Sequence, residues 1–100
     1  MRNLYAMLRP GGHALVMTPF LIPIHGGPQD CCRWSDIGLR HLLAEGGFPI
    51  DNVRTWSWGH RRTVIQLLDG WPRMGWRRVV PPNQPKYPLV VWALARKPVD

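Results

Sequence analysis

Leu8-Arg9-Pro10-Gly11-Gly12-His13-Ala14-Leu15-Val16-Met17-Thr18-Pro19-Phe20 is the stretch on which the fold turns. Pro10 and the two glycines stop a helix and supply the permissive backbone angles of a tight turn. The run that follows, Ala14-Leu15-Val16-Met17, is apolar and of strand length, and Thr18-Pro19-Phe20 closes it. With no polar alternation, such a run suits a strand covered on both faces, as in a parallel sheet lined by helices. Upstream, Leu4, Met7 and Leu8 fall at i, i+3 and i+4, which predicts an amphipathic helix over residues 2–8. A helix feeding an apolar strand is normally the second half of a strand–helix–strand unit. The chain therefore reads as though its beginning is missing.

Downstream, Pro23, Gly26, Gly27 and Pro28 make residues 21–33 a loop. Ser35 then offers an N-cap and Asp36 a favourable charge for a helix over residues 35–46. Ile37, Leu39, Leu42 and Leu43 form its apolar stripe, and Gly46-Gly47 ends it. A second strand is expected over residues 52–58, with Val53, Thr55 and Ser57 opposite Arg54, Trp56 and Trp58. Residues 61–70 predict a short helix on which Val64, Leu67, Leu68 and Trp71 share a face. Five prolines mark residues 72–88 as an irregular excursion. The last apolar run predicts a strand over residues 88–96. The fold class is α/β: three strands and three helices in a single incomplete domain, residues 1–100.

One hundred residues bury only about 60–65% of the surface that the unfolded chain exposes, so the core is thin. Lys and Arg number 13 against 6 Asp and Glu, giving a net charge of +7. That balance leaves nucleic acid, an anionic surface or a phosphorylated ligand open as partners. No apolar stretch reaches the roughly 20 residues of a membrane span, and Arg9-Pro10-Gly11-Gly12 interrupts any secretory leader. A cytoplasmic location is expected. Cys31 and Cys32 are adjacent, so a bridge between them would be strained, and reduced thiols follow.

The turn Leu8-Arg9-Pro10-Gly11-Gly12 before an apolar strand resembles the approach to the fifth strand of class I S-adenosylmethionine-dependent methyltransferases. The ordered set Pro19-Phe20, Pro23, His25, Pro28, Asp30, Arg33-Trp34-Ser35, Gly38-Leu39, Leu42-Leu43 and Gly47-Phe48 is similar to one bacterial branch of that family, the type 11-like. Pro88-Leu89-Val90-Val91-Trp92-Ala93-Leu94-Ala95-Arg96-Lys97 looks like the last strand of such proteins. One departure is local: Cys31-Cys32 stands where the branch usually carries an aromatic.

The resemblance implies a partial Rossmann-like sheet and methyl transfer from S-adenosylmethionine as the parent activity. It also implies that strands one to four lie outside this chain. With them goes the cofactor site, a Gly-rich turn after the first strand and an acidic residue after the second. Gly11-Gly12 precedes a strand and has the wrong context for that turn. The chain alone is expected to be inactive, with no cofactor-binding residues of its own.

Candidate acceptor-substrate contacts are Phe20, His25, Asp30, Arg33 and Trp34, in and around the loop after the first apolar strand. His25 is the candidate catalytic residue, as proton acceptor from a hydroxyl or amine. Arg33 suits an anionic group, and Asp30 can orient either. The structural alternative has Asp30 and Arg33 capping or pairing within the loop and His25 as a turn residue. No metal site is expected, because Cys31, Cys32 and His25 lack the spacing of a zinc knuckle.

Two further readings belong to other classes. Arg61-Arg62, Arg73 and Arg77-Arg78 interleave with Trp58, Trp71 and Trp76, as in a module for single-stranded nucleic acid. Alternatively, the strand at 13–20, deprived of a neighbour, docks a second copy or a partner chain through its free edge. Trp56 and Trp58 are expected to pack in the core.

Overall fold

A computed structural model describes residues 1–24, 32–69 and 81–100. The elements follow the expected order: α1 (Arg2–Met7), β1 (His13–Pro19), α2 (Asp36–Glu45), a 3-10 turn (Ile50–Asn52), β2 (Val53–Trp58), α3 (Arg61–Leu68) and β3 (Val90–Arg96). The fold is mixed α/β, with three helices and a three-stranded sheet in the order β1-β3-β2. The expected excursion at 72–88 lies partly outside the described residues.

The sheet corrects the first expectation. Both neighbouring pairs are antiparallel: β3 matches β1 from His13↔Arg96 to Pro19↔Val90, and β2 from Val53↔Ala95 to Trp58↔Val90. β1 and β2 therefore run the same way, with the last strand inserted between them. Nor is β1 covered on both faces. Ala14 is buried, whereas Leu15 is 65% exposed and Met17 62%.

Side-chain size explains which face is covered. The rows Ala14–Ala95–Val53 and Val16–Ala93–Thr55 present small or β-branched groups to one side. That low relief lets Leu39 and Leu43 of α2, together with Phe48, settle onto Ala93, Ala95 and Val91, all fully or almost fully buried. Each large side chain so buried contributes about 1.5–3 kcal/mol. α1 closes the same side through Leu4, Tyr5 and Leu8. The expected stripe of Leu4, Met7 and Leu8 is thus corrected at one position: Met7 is 82% exposed and Tyr5 replaces it, because its ring meets Phe48 edge-on at 4.9 Å. Ile37 likewise leaves the expected stripe of α2 for solvent, and Leu42 packs half-buried at the margin.

Local signals behave as their chemistry requires. Ser35 Oγ accepts from the Gly38 amide at 3.1 Å, the N-cap expected of it. Gly11, with φ +80°, occupies the left-handed region that the turn before β1 demands. Its amide donates to Lys97 O and the Lys97 amide to Gly12 O, both at 2.9 Å, so the turn continues the β1–β3 ladder.

Lys97 then holds α1. Its Nζ donates to Tyr5 O at 3.1 Å and Leu8 O at 2.9 Å, and it sits 4.5 Å from the Tyr5 ring centroid. A six-residue helix cannot persist alone, so these bonds to its last turn matter. Lys97→Met is expected to lose about 1–2 kcal/mol. The loss should appear in a urea titration, with fast amide exchange confined first to residues 2–8; unchanged exchange there would contradict this role.

Candidate functional site

The end of β1 carries the candidate site. Phe20 continues the ladder, its amide donating to Leu89 O at 2.8 Å, and Leu21 donates to Pro88 O at 3.1 Å. The chain then bends at Ile22, whose amide returns to Phe20 O at 3.0 Å. Arg33 clasps this bend from the far side of the loop. Its Nη1 donates to Phe20 O and, at 2.5 Å, to Ile22 O, while Nη2 reaches Pro23 O at 3.1 Å. A planar guanidinium fork matches converging carbonyls in a way that an ammonium does not.

Of the five candidate contacts, Phe20, Arg33 and Trp34 are brought to one place. Phe20 and Trp34 are half-buried and pack against the core, so they frame the loop at its root. Arg33 donates to the carbonyls of Phe20, Ile22 and Pro23. His25 and Asp30 lie outside the described residues, as does Cys31; Cys32 is a free, exposed thiol. Among the described residues no three His, Cys, Asp or Glu side chains form a metal cluster. None of their helices is long and apolar enough to cross a membrane.

Beside this loop lies an open groove of about 420 Å³, lined by Met17, Thr18, Pro19, Ile22, Leu67, Leu89 and Val90. Its wall is almost entirely apolar. Thr18 Oγ1 is buried with no hydrogen-bond partner among the described residues. An unmet buried hydroxyl costs about 1–3 kcal/mol, so it marks a position where a water or a ligand oxygen would be favoured.

Arg33→Lys removes the fork and retains the charge. We expect the amides of Leu21 and Ile22 to exchange at least tenfold faster in this variant, equivalent to about 1.4 kcal/mol of local opening, with little change in global stability. Equal exchange rates would show that the fork does not organise the bend.

The end of β2 is built by residues that sequence reading passed over. Asn83 Oδ1 accepts from the Gly59 amide at 3.0 Å and Asn83 Nδ2 donates to Ser57 O at 3.0 Å. The Gln84 amide donates to Gly59 O at 2.7 Å, and its Oε1 accepts from the Arg61 amide at 2.9 Å. His60 Nδ1 caps α3 by accepting from the Arg62 amide at 3.1 Å. The Pro-rich segment is therefore anchored where it rejoins the sheet. The signal for it was the Asn-Gln pair between prolines, which offers side-chain donors and acceptors where proline withholds backbone donors.

Of the interleaved Arg and Trp set, Arg61 and Arg62 are exposed on α3, and Trp58 is half-buried. Trp71, Arg73, Trp76, Arg77 and Arg78 lie outside the described residues. Trp56 is not in the core: it is 42% exposed and stacks on Trp92, with ring centroids 6.5 Å apart and planes 26° from parallel. Comparison with protein-family models, with curated proteins and with solved structures finds no match to this chain.

Proposed function

We propose that this chain is the C-terminal, acceptor-side portion of an S-adenosylmethionine-dependent methyltransferase with a Rossmann-like sheet. The observation that carries the reading is the pair of like-directed strands β1 and β2, joined through α2, with no strand among the described residues on the edge of β1 away from β3. Further strands of a larger sheet would pair at that edge. The ordered residues from Leu8 to Phe48 supply the family likeness, and the Arg33 clasp forms the loop at the C-terminal end of β1, where open α/β sheets bind ligands.

The residues present do not fit the cofactor itself. The amides of Gly11 and Gly12 are committed to Lys97 O and Arg9 O and cannot cradle a ligand. The described end of β1, through the bend at residues 20–24, and the end of β2 carry no carboxylate to grip a ribose; Asp51 precedes β2 and Asp69 follows α3. No step of methyl transfer is therefore assigned to this chain alone. Its contribution is an apolar acceptor wall, Met17, Pro19 and Ile22 with Leu67, whose role in such chemistry is positioning and exclusion of water.

The test is calorimetric titration with S-adenosylhomocysteine of two proteins. One is this chain; the other is a type 11-like methyltransferase whose fifth strand and all that follows are replaced by residues 8–100. The reading expects no binding by the chain, and a Kd for the chimera within about tenfold of its parent's, or 1.4 kcal/mol. A chimera that fails to fold or to bind would overturn the reading.

A further inference from the structure

The two outer edges of the sheet are finished differently. In β2 the Val53 amide donates to Ile50 O, away from the sheet, and the Trp58 carbonyl accepts from the Leu89 amide at 2.8 Å. By alternation, Val53, Thr55 and Ser57 turn their backbone groups outward, while Arg54, Trp56 and Trp58 turn theirs toward β3. The 3-10 turn covers the outer edge at Val53. At the other end Asn83 Nδ2 donates to Ser57 O and Asn83 Oδ1 accepts from the Gly59 amide, both at 3.0 Å, and the Gln84 amide donates to Gly59 O at 2.7 Å. A neighbouring parallel strand would make these same bonds, with one residue donating to O(i−1) and accepting from N(i+1). The side-chain amide of Asn83 stands in for that residue. Thr55 alone in β2 presents an amide and a carbonyl that both lack a partner among the described residues.

We infer that Asn83 and Gln84 close the outer edge of β2 against strand pairing with a second copy of this chain. The strand needs such a guard. It reads Val-Arg-Thr-Trp-Ser-Trp, β-branched and aromatic with Arg54 as its one charge, a composition that pairs readily when its edge is bare. Pairing of β2 with its own copy about a two-fold axis at Thr55 sets Val53 of one chain opposite Ser57 of the other, and residue 51 opposite residue 59. Asn83 and Gln84 already hold that place.

Anchoring of the Pro-rich segment accounts for Gln84, whose Oε1 also holds the Arg61 amide at the start of α3. It does not account for Asn83, whose exposed side chain bonds to the edge of β2 and to nothing else. β1 shows the contrast. Gly12 O and the Phe20 amide bond to Lys97 and Leu89, on the β3 side, so Leu15 and Met17 turn their backbone groups outward, and neither meets a partner there among the described residues. One edge is covered by a side chain and the other is not. The inference does not depend on the methyltransferase reading.

The test compares self-association of the parent chain with that of Asn83→Ala and Asn83→Asp. Alanine removes both bonds; aspartate keeps the acceptor for the Gly59 amide and sets an oxygen against Ser57 O. Light scattering over a concentration series gives the dimer constant, and amide exchange locates the contact. Asn83→Ala should dimerise roughly tenfold more tightly than the parent, with new protection at the Thr55 and Ser57 amides, and Asn83→Asp should show a smaller gain. The double variant Asn83→Ala/Thr55→Pro separates this edge from β1. Proline removes the outward amide of Thr55 and breaks no bond to β3, so the gain should vanish. Urea titration checks that each variant folds, and Asn83→Asp with Asn83→Asp/Thr55→Pro carries the comparison if the alanine variant does not. No gain in a folded Asn83 variant, protection gained at Leu15 and Met17 instead, or a gain that survives Thr55→Pro would overturn the inference.

Discussion

Phe48→Ala is expected to lose about 3–5 kcal/mol, most of the stability of a domain this small. Phe48 is 1% exposed and sits where α2, the sheet and α1 meet. Its ring is the surface on which Tyr5 stands, and Tyr5 in turn carries the Lys97 contact. Truncation leaves a cavity under α2 and also removes the seat of α1, so two layers loosen together. Phe48→Leu keeps most of the volume and should cost less than about 1.5 kcal/mol. Urea titration of the two variants separates the effects. A loss below 1.5 kcal/mol for the alanine variant would mean that this junction is not the centre of the core.

Gly59→Ala is the second large effect, expected near 3 kcal/mol, with a Tm lower by roughly 15 °C. A Cβ at Gly59 would fall on the Tyr87 carbonyl oxygen and lie 2.6 Å from Leu89 N and 2.8 Å from Pro88 Cα. All three are backbone atoms, and the Leu89 amide is tied to Trp58 O at 2.8 Å, so the clash has no flexible side chain to absorb it. Gly38→Ala provides the contrast. There an added Cβ would meet only side-chain atoms, Ser35 Oγ at 3.2 Å and Trp34 Cε3 at 3.5 Å. Gly38→Ala should therefore change stability by less than about 1 kcal/mol. Thermal unfolding of both variants measures the difference, and equal effects would contradict the close approach at Gly59.

The elements themselves were legible because their signals are local. Pro10-Gly11-Gly12, Ser35-Asp36 and Gly46-Gly47 punctuate the chain through capping and turn chemistry that needs no distant partner. The pairing of strands was not, since an apolar run looks alike in a parallel and an antiparallel sheet. One cue was present and overlooked. In Trp92-Ala93-Leu94-Ala95, large residues alternate with small ones, and the small ones lie beneath the helices. Polarity hid this period and side-chain size reveals it. The same confusion placed Trp56 in the core when it lies, 42% exposed, on the face of the sheet away from α2.

The candidate loop was legible as a place and less so as chemistry. Sequence drew Phe20, Arg33 and Trp34 together by resemblance, and the fold brings them to one bend. What Arg33 does there depends on backbone carbonyls 10 to 13 residues away, a geometry that residue types alone do not encode.

The central claim is that β1 is an inner strand of a larger sheet, and amide exchange along His13–Pro19 tests it most directly. In this chain, studied dilute as a monomer, the amides of β1 bonded to β3 should be protected and the alternate, outward amides should exchange nearly as fast as in an unfolded peptide. In the chimera described above, which supplies the strands before β1, both sets should be protected. Outward amides that stay fast in a folded chimera would contradict the account, since β1 would then be an edge in its own right.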